Sequence, residues 1–357
     1  MRLLMLTRYG HAGPSSRVRL LQYRPALEAS GAEVTVQALL DDDYVRDLYE
    51  SGRRRWHRVG MRYLHRVHDV LSARRFDLVW LEKECWPWLP ASLDPGLLAS
   101  RAGYAVDYDD AVFHNYDQAA SRIARAVFAG KIDAVMHRAR LVTAGNQYLA
   151  ARARAARAPW VEVIPSVVDL VRYPVLPRRA RAGFVVGWIG SPATQHFLEP
   201  LLPVLRRILD PARDRFVTVG AKFAAPLLPN HEMRSWREAS EASDIAEFDV
   251  GVMPLLDQPF ERGKCGFKLI QYMAAGLPVV ASPVGVNTEI VSQGVNGFLA
   301  GDATAWEQAL ASLRDDPDLR SRMGAQGRAA VEAKYCLQVT APPLVAMLER
   351  AARNGNR

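Results

Sequence analysis

The sequence predicts an α/β protein made of two doubly wound halves, each a parallel sheet covered by helices, facing a central cleft. Short continuous apolar runs alternate with longer amphipathic ones, as they do when parallel strands are buried under helices on both faces. One opening occurs twice: the buried strand LLMLTR runs into the loop YGHAGPSS, and FVVGWIG runs into SPATQH. Between the two halves, VRYPVLPRRARAG (171–183) is rich in Pro and Arg, lacks either periodicity, and reads as a linker.

The first half, 1–170, carries strand patterns at 3–8, 33–40, 77–83, 104–110, 141–146 and 161–166. A helix is expected from near Ser16, a long basic helical region over 44–74, and helical material around 118–139. The second half, 184–338, restarts with a strand at 184–191 and a helix over about 195–209. A strand at 215–221, a helix around 241–247 and a strand at 248–255 follow. GFKLIQYMAAG is then a helix ended by Gly276 and stopped by Pro278, with strands at 278–282 and 297–300 after it. Helices close the chain over 304–312, 317–333 and 339–352, and the segment 339–357 is expected to pack back on the first half.

A chain of 357 residues, 49% hydrophobic and 24% charged, is long enough for two domains. No apolar run approaches the roughly 18–20 residues of a membrane span, and the first apolar run is too short for a signal peptide, so a cytoplasmic location is expected. Cys85, Cys265 and Cys336 lie far apart, which suggests neither a disulfide framework nor a zinc site. A net charge of +8 admits nucleic acid, anionic membrane or phosphate-bearing small molecules as partners. Nucleic acid ranks last, because the basic residues are spread over both halves and no recognition module appears.

Six of the 46 basic residues are lysine, and two of them, Lys264 and Lys268, stand four apart in RGKCGFKLIQYMAAGLPVVASPVGVNTEIV. The helix start offers amides at Gly266 and Phe267 and a positive dipole end, which suit an anion. Lys264, Lys268, Gln271 and Ala275 share one helical face, with Phe267, Ile270, Met273 and Ala274 opposite. Two ammonium groups at such a site fit a diphosphate, and Gln271, a turn deeper, fits sugar or ribose hydroxyls. The same spacing also describes a surface helix with two solvated lysines.

The stretch GFKLIQYMAAGLPVVASPVGVNTEIVSQGVNGFLA, with Glu289 inside it, resembles the donor-binding segment of the retaining GT-B glycosyltransferases of family 4. IPSVVDL (164–170) is similar to the segment that closes their first half. The resemblance implies a GT-B fold of two Rossmann-like domains and metal-independent transfer of a sugar, with retention, from a nucleotide-diphosphate sugar to an acceptor hydroxyl. Cell-surface polysaccharide or glycoconjugate assembly is the implied setting, with no further cofactor. The family's E-x7-E pair falls on Gly263 and Gln271, so both glutamates are replaced, with Glu261 beside the first. An amide can still bond a ribose, whereas loss of the first glutamate bears on the sugar contacts.

The loop after FVVGWIG holds no lysine or arginine, so the cationic task is expected of Lys264, with Lys268 and with Lys222 from VGAKF. Gly190, Ser191 and Thr194 would meet the phosphates, and Trp236 in HEMRSWREASEASDIAEF would lie near the base. Cys265 falls inside this donor stretch, with packing as its expected role.

The first half is expected to take a glycan or lipid-linked acceptor. Gly13, Ser15, Ser16 and Arg17 sit where the first strand ends, either as an acceptor loop or as a turn with a Ser cap. Asp109 and Asp110 are read as acceptor-hydroxyl ligands or loop anchors rather than metal ligands, because metal-dependent DxD enzymes mostly have the other, GT-A, architecture. His114 either touches substrate near the reaction centre or is a hydrogen-bonded structural residue, and Glu82, Lys83 and Glu84 rank with it. Arg53, Arg54, Arg55, Arg58, Arg62 and Arg66 interleave with Trp56, Val59, Tyr63 and Val67, either as a solvated face or as an interfacial helix on anionic membrane. The changed glutamates keep two alternatives open, a nucleotide-sugar-binding subunit without turnover and a GT-B sugar-nucleotide epimerase.

Overall fold

The structure is a computed structural model that describes residues 1–51, 56–90, 103–175 and 183–353. It divides into two compact units. The first is Met1–Ser166 with Arg262–Cys265 and Thr340–Arg357; the second is Val167–Glu261 with Gly266–Val339.

The first unit holds a six-stranded parallel sheet of β1 (Arg2–Tyr9), β2 (Glu33–Leu40), β3 (Leu78–Glu82), β4 (Tyr104–Tyr108), β5 (Leu141–Ala144) and β6 (Val161–Val163). Their order is β2-β1-β3-β4-β5-β6. Every residue of β3, β4 and β5 is buried, which is why these strands read as mostly apolar runs, with Glu82, Asp107 and Thr143 the exceptions. The order reverses between β1 and β3, and an open α/β sheet binds ligands off the carboxyl ends of its strands at such a point. The C-terminal helix, Leu337–Arg353, is tied to this unit from Thr340 onward. The Tyr23 hydroxyl lies 3.2 Å from Thr340 Oγ1, and the Arg350 guanidinium sits 4.7 Å from the Trp160 ring centroid.

The second unit repeats the plan with β7 (Val185–Ile189), β8 (Arg215–Val219), β9 (His231–Arg234), β10 (Val250–Met253), β11 (Val279–Ala281) and β12 (Gly297–Leu299). The order is β12-β11-β10-β7-β8-β9, all parallel, with its reversal between β7 and β10.

Three elements differ from the sequence expectation. Strand β9 was not foreseen: HEMR is polar, and an edge strand needs only one face against the core, here through His231, whose Nε2 lies 2.9 Å from Thr218 Oγ1. The helix expected over 195–209 is instead a 3-10 segment, Pro192–Leu201, followed by the α-helix Leu202–Ile208. Pro200 and Pro203 cannot donate the backbone bonds a continuous α-helix needs. The long basic region comprises the helices Asp42–Ser51 and Trp56–Ser72; Arg53, Arg54 and Arg55 lie outside the described residues, as do 176–182 of the expected linker.

Candidate functional site

In the second unit, the side chains gather where β7, β8 and β10 end. The helix Phe267–Ala274 begins after Gly266, whose φ of 64° is left-handed and suits glycine. First-turn amides of a helix have no intrahelical partner and point off its N-terminus. Lys268 lies in that turn. Its ammonium stands 4.1 Å from the Trp188 ring centroid and 3.4 Å from Thr194 Oγ1. A Cβ added at Gly190 would come within 2.7 Å of the same ammonium, so the glycine leaves it room. The Ser191 carbonyl accepts from both the amide and the hydroxyl of Thr194, at 3.0 and 3.1 Å, which folds this loop tightly around the lysine.

The next loop is clamped to the first. Gln195 Oε1 accepts from the Lys222 amide at 2.7 Å and its Nε2 donates to the Lys222 carbonyl at 3.0 Å, while the Lys222 side chain is exposed. Gly220 has a φ of +84°, and a Cβ there would lie 2.2 Å from the Gly190 carbonyl oxygen, so only glycine permits this approach. Trp236 stands beside Gly220, half-buried, and its indole Nε1 donates to Glu241 Oε2 at 2.6 Å.

Two donor-site expectations change here. Gln271 does not share an open polar face with Lys268: it is 3% exposed, and its Nε2 donates to the Tyr173 hydroxyl at 2.9 Å. That hydroxyl in turn donates to Glu241. Burial and the neighbouring carboxylate hold the Tyr173 hydroxyl protonated, well above its usual range. From Leu269 to Ala274 the helix is buried at every position, so packing overrides the polar spacing. Phe267, half-buried, packs at the margin of this core. The second change concerns Lys264 and Cys265, which precede the helix and belong to the first unit, where Asn146 and Asp109 hold them.

In the first unit a charged cluster occupies the carboxyl ends of β1, β3 and β4. Lys83, in a left-handed conformation (φ 62°), places its ammonium 2.8 Å from Asp109, 2.9 Å from Ser15 Oγ and 4.0 Å from both Glu82 and Asp110. A lysine held in this strained conformation at a strand end marks a position that its surroundings over-determine. Ser15 Oγ lies 2.6 Å from Asp109 Oδ2 and 3.0 Å from Glu82 Oε1, and Ser16 Oγ donates to Glu82 at 2.6 Å. Gly13 precedes the short helix Pro14–Arg19 without a side-chain cap, and Arg17 is buried, its Nη1 donating to the His11 carbonyl at 3.0 Å.

Burial would raise the Asp109 carboxyl, but the Lys83 ammonium outweighs it and holds the group below the usual range. Asp110 goes the other way, raised by burial and by the charge of Asp109. Asp110 is also the most accessible carboxylate of the cluster, its side chain 32% exposed against 13% for Asp109 and 0% for Glu82. Lys264 Nζ stands 3.8 Å from it.

The strand of chain bearing Lys264 is fixed by Asn146, whose Nδ2 donates to the carbonyls of Gly263 and Lys264 at 2.9 and 3.0 Å. Cys265 is a packing residue here: its thiol donates to the Asp109 carbonyl at 3.0 Å, and burial pushes it far above its usual range. His114 is committed on both ring nitrogens, Nδ1 to Asp117 and Nε2 to the Tyr148 hydroxyl, each at 2.8 Å. Of its two sequence readings, this is the arrangement of the structural one.

Sequence reasoning did not find Arg19, Asn146, Tyr173 or Glu241. Arg19 and Asp107 form a buried two-point pair, 2.9 and 2.7 Å, across 88 residues of chain, and no local spacing signals such a pair. Among the described residues no group of three His, Cys, Asp or Glu side chains is disposed to hold a metal ion.

Residues 183–316 match the family described as Glycosyl transferases group 1. A D-inositol 3-phosphate glycosyltransferase from Thermobispora bispora is 26% identical over 208 residues, 58% of this chain and 43% of that protein. A phosphatidyl-myo-inositol mannosyltransferase from Mycobacterium leprae is 36% identical over 94 residues, 26% of this chain and 25% of that protein. The chain thus spans less than half the length of these curated relatives. Among solved structures, sucrose-phosphate synthase from Thermosynechococcus elongatus matches with a TM-score of 0.74 at 18% identity, over 98% of both chains. Anabaena HepE, in complex with UDP and glucose, matches with a TM-score of 0.71 at 18% identity, over 98% of this chain and 100% of that one. The fold is that of the GT-B glycosyltransferases, and the stretch similar to the group 1 family, residues 183–316, lies within it.

Proposed function

We propose that the protein is a glycosyltransferase that moves a sugar from a nucleotide-diphosphate donor to an acceptor hydroxyl, with retention and without a metal. The observation that carries this reading is the Lys268 ammonium, held between the Trp188 ring and Thr194 at the first turn of a helix, off the reversal point of the second sheet. Negative charge develops on the departing diphosphate as the glycosidic bond breaks, and a pre-placed ammonium with helix amides stabilises it there. Lys268 therefore takes the leaving-group role that the family resemblance led us to expect of Lys264. Trp236, fixed by Glu241, is our candidate for the base contact.

Retention is supported by the likeness of residues 266–300 to the family 4 donor segment and by the lack of an obvious side-chain nucleophile. In the first unit Asp110, Lys83 and Ser15 are proposed to meet the acceptor hydroxyls, with Lys264 beside Asp110. A glycan or lipid-linked acceptor agrees with relatives named for inositol phosphate and phosphatidylinositol, and cell-surface glycoconjugate assembly is the proposed setting. Among the described residues no helix is long and apolar enough to cross a membrane. UDP is the first donor nucleotide to test, because HepE, a structure of matching fold, was solved with it.

A second reading, binding of a nucleotide sugar without turnover, is favoured by the engagement of Gln271 with Tyr173. Calorimetry with UDP, GDP, ADP, dTDP and CMP, followed by transfer assays, tests both. One diphosphate should bind the wild type, and Lys268→Ala should weaken it by about 10- to 100-fold, the worth of a charge-assisted contact. Unchanged affinity in Lys268→Ala would refute the assignment, and tight binding without transfer to any acceptor would favour the second reading.

A further inference from the structure

The helix Trp56–Ser72 packs on the sheet through Tyr63 and Val70 but carries apolar side chains well beyond that contact. Its inward side is Arg66, Asp69 and Val70, and Arg66 Nη2 donates to the Thr7 carbonyl of β1 at 2.6 Å, which fixes the roll of the helix on the sheet. At about 100° per residue, Trp56, Gly60, Leu64, Val67 and Leu71 share one arc on the flank of the helix, starting beside the half-buried Tyr63 and centred roughly 120° from Arg66, with Met61 beyond it on the outer face. These side chains are 69% (Trp56), 65% (Leu64), 39% (Val67), 59% (Leu71) and 55% (Met61) exposed, and a Cβ at Gly60 would meet nothing within 4 Å. Isolated exposed apolar residues need no explanation, but a continuous stripe over four turns marks an interaction surface.

No exposed acid of this helix stands beside the stripe. The helix has a single acid, Asp69, and it is buried; His57, His65, His68 and Arg58 flank the stripe, and the exposed Arg74 and Arg75 follow the helix directly. Arg58 and Arg62 reach Asp47 and Asp41 on the preceding turns.

A second element of the same unit has the same character. In the helix Arg122–Phe128, Ile123 and Val127 are 77% and 50% exposed beside Arg122 and Arg125, with no acid between Gln118 and Ile132. Contacts link the two helices: the Tyr63 hydroxyl donates to the Pro87 carbonyl, and Trp88, 51% exposed, lies edge-on to Phe128 with ring centroids 6.2 Å apart.

We propose that this face of the first unit lies on an anionic lipid bilayer, with Trp56, Leu64, Val67 and Leu71 entering the boundary between headgroups and acyl chains. Apolar side chains over a basic rim are what an interfacial helix requires. A second copy of the chain fits less well. The stripe is about 22 Å long and one helix face wide, on the order of 200–300 Å², against roughly 800 Å² per partner in a stable complex.

The test is flotation of the full chain with vesicles of phosphatidylcholine alone and of phosphatidylcholine with one-third phosphatidylglycerol. The wild type should float with the anionic vesicles, weakly or not at all with the neutral ones, and less at high salt. The double variant Leu64→Gln/Leu71→Gln should lose at least about tenfold in partitioning, because two exposed leucines supply much of the buried apolar area. A cooperative thermal transition at the wild-type temperature serves as the folding control. Equal partitioning of variant and wild type, or equal flotation with both vesicles, overturns the proposal. A concentration-dependent dimer that the double variant abolishes assigns the face to a second copy instead.

Discussion

Restoring the family's first glutamate should damage the protein rather than improve it. In Gly263→Glu the new Cβ would stand 2.5 Å from Ala111 Cβ and 2.8 Å from the Ala111 amide nitrogen. The second of these is backbone, so no change of rotamer relieves it, and overpacking of this kind costs roughly 1–3 kcal/mol. Relief by moving the 262–265 segment strains the two bonds from Asn146 to the carbonyls of Gly263 and Lys264, worth about 1 kcal/mol each. The expected loss is therefore about 2–4 kcal/mol, or a fall of about 4–16 °C in the melting temperature of a unit this size. Differential scanning calorimetry of wild type, Gly263→Glu and Gly263→Glu/Ala111→Gly measures it, with partial recovery expected in the double variant. A melting temperature within a degree of wild type for the single variant would refute the steric argument, and with it the reason offered for a glycine at this position.

Two further outcomes follow from the polar clusters. Asp110 has a folded pKa raised above its unfolded value, so its contribution to stability is fully present below the unfolded pKa and is lost as pH rises through the folded one. Asp110→Asn should accordingly melt higher than wild type at neutral pH, with the gap closing as the pH falls through the usual carboxylate range; a gap independent of pH would remove Asp110 as its source. Tyr173→Phe leaves the Gln271 amide and one Glu241 oxygen without their buried partner. It should cost about 1–3 kcal/mol in denaturant unfolding, and an unchanged midpoint would show that the network is not closed as described.

Much of this architecture is written in local pattern. The central strands of both sheets are buried on two faces, so they appear as mostly apolar runs such as LLMLT or VVGWI, and the order of runs and amphipathic stretches suffices for a doubly wound pair. The helix Phe267–Ala274 and its stop at Gly276 are equally local, because capping and chain reversal depend on adjacent residues. What the side chains of that helix do is not local. Spacing put Lys264, Lys268 and Gln271 on one face, but the helix starts three residues after Lys264, and Gln271 turns inward because Tyr173, 98 residues away, offers a buried oxygen. The Lys83 cluster arises in the same way: Ser15, Glu82 and Asp109 meet because parallel pairing in register brings the ends of β1, β3 and β4 together. Periodicity reports which face of an element is apolar. The partner that a polar side chain finds there depends on strands dozens of residues apart, and only the assembled sheet supplies it.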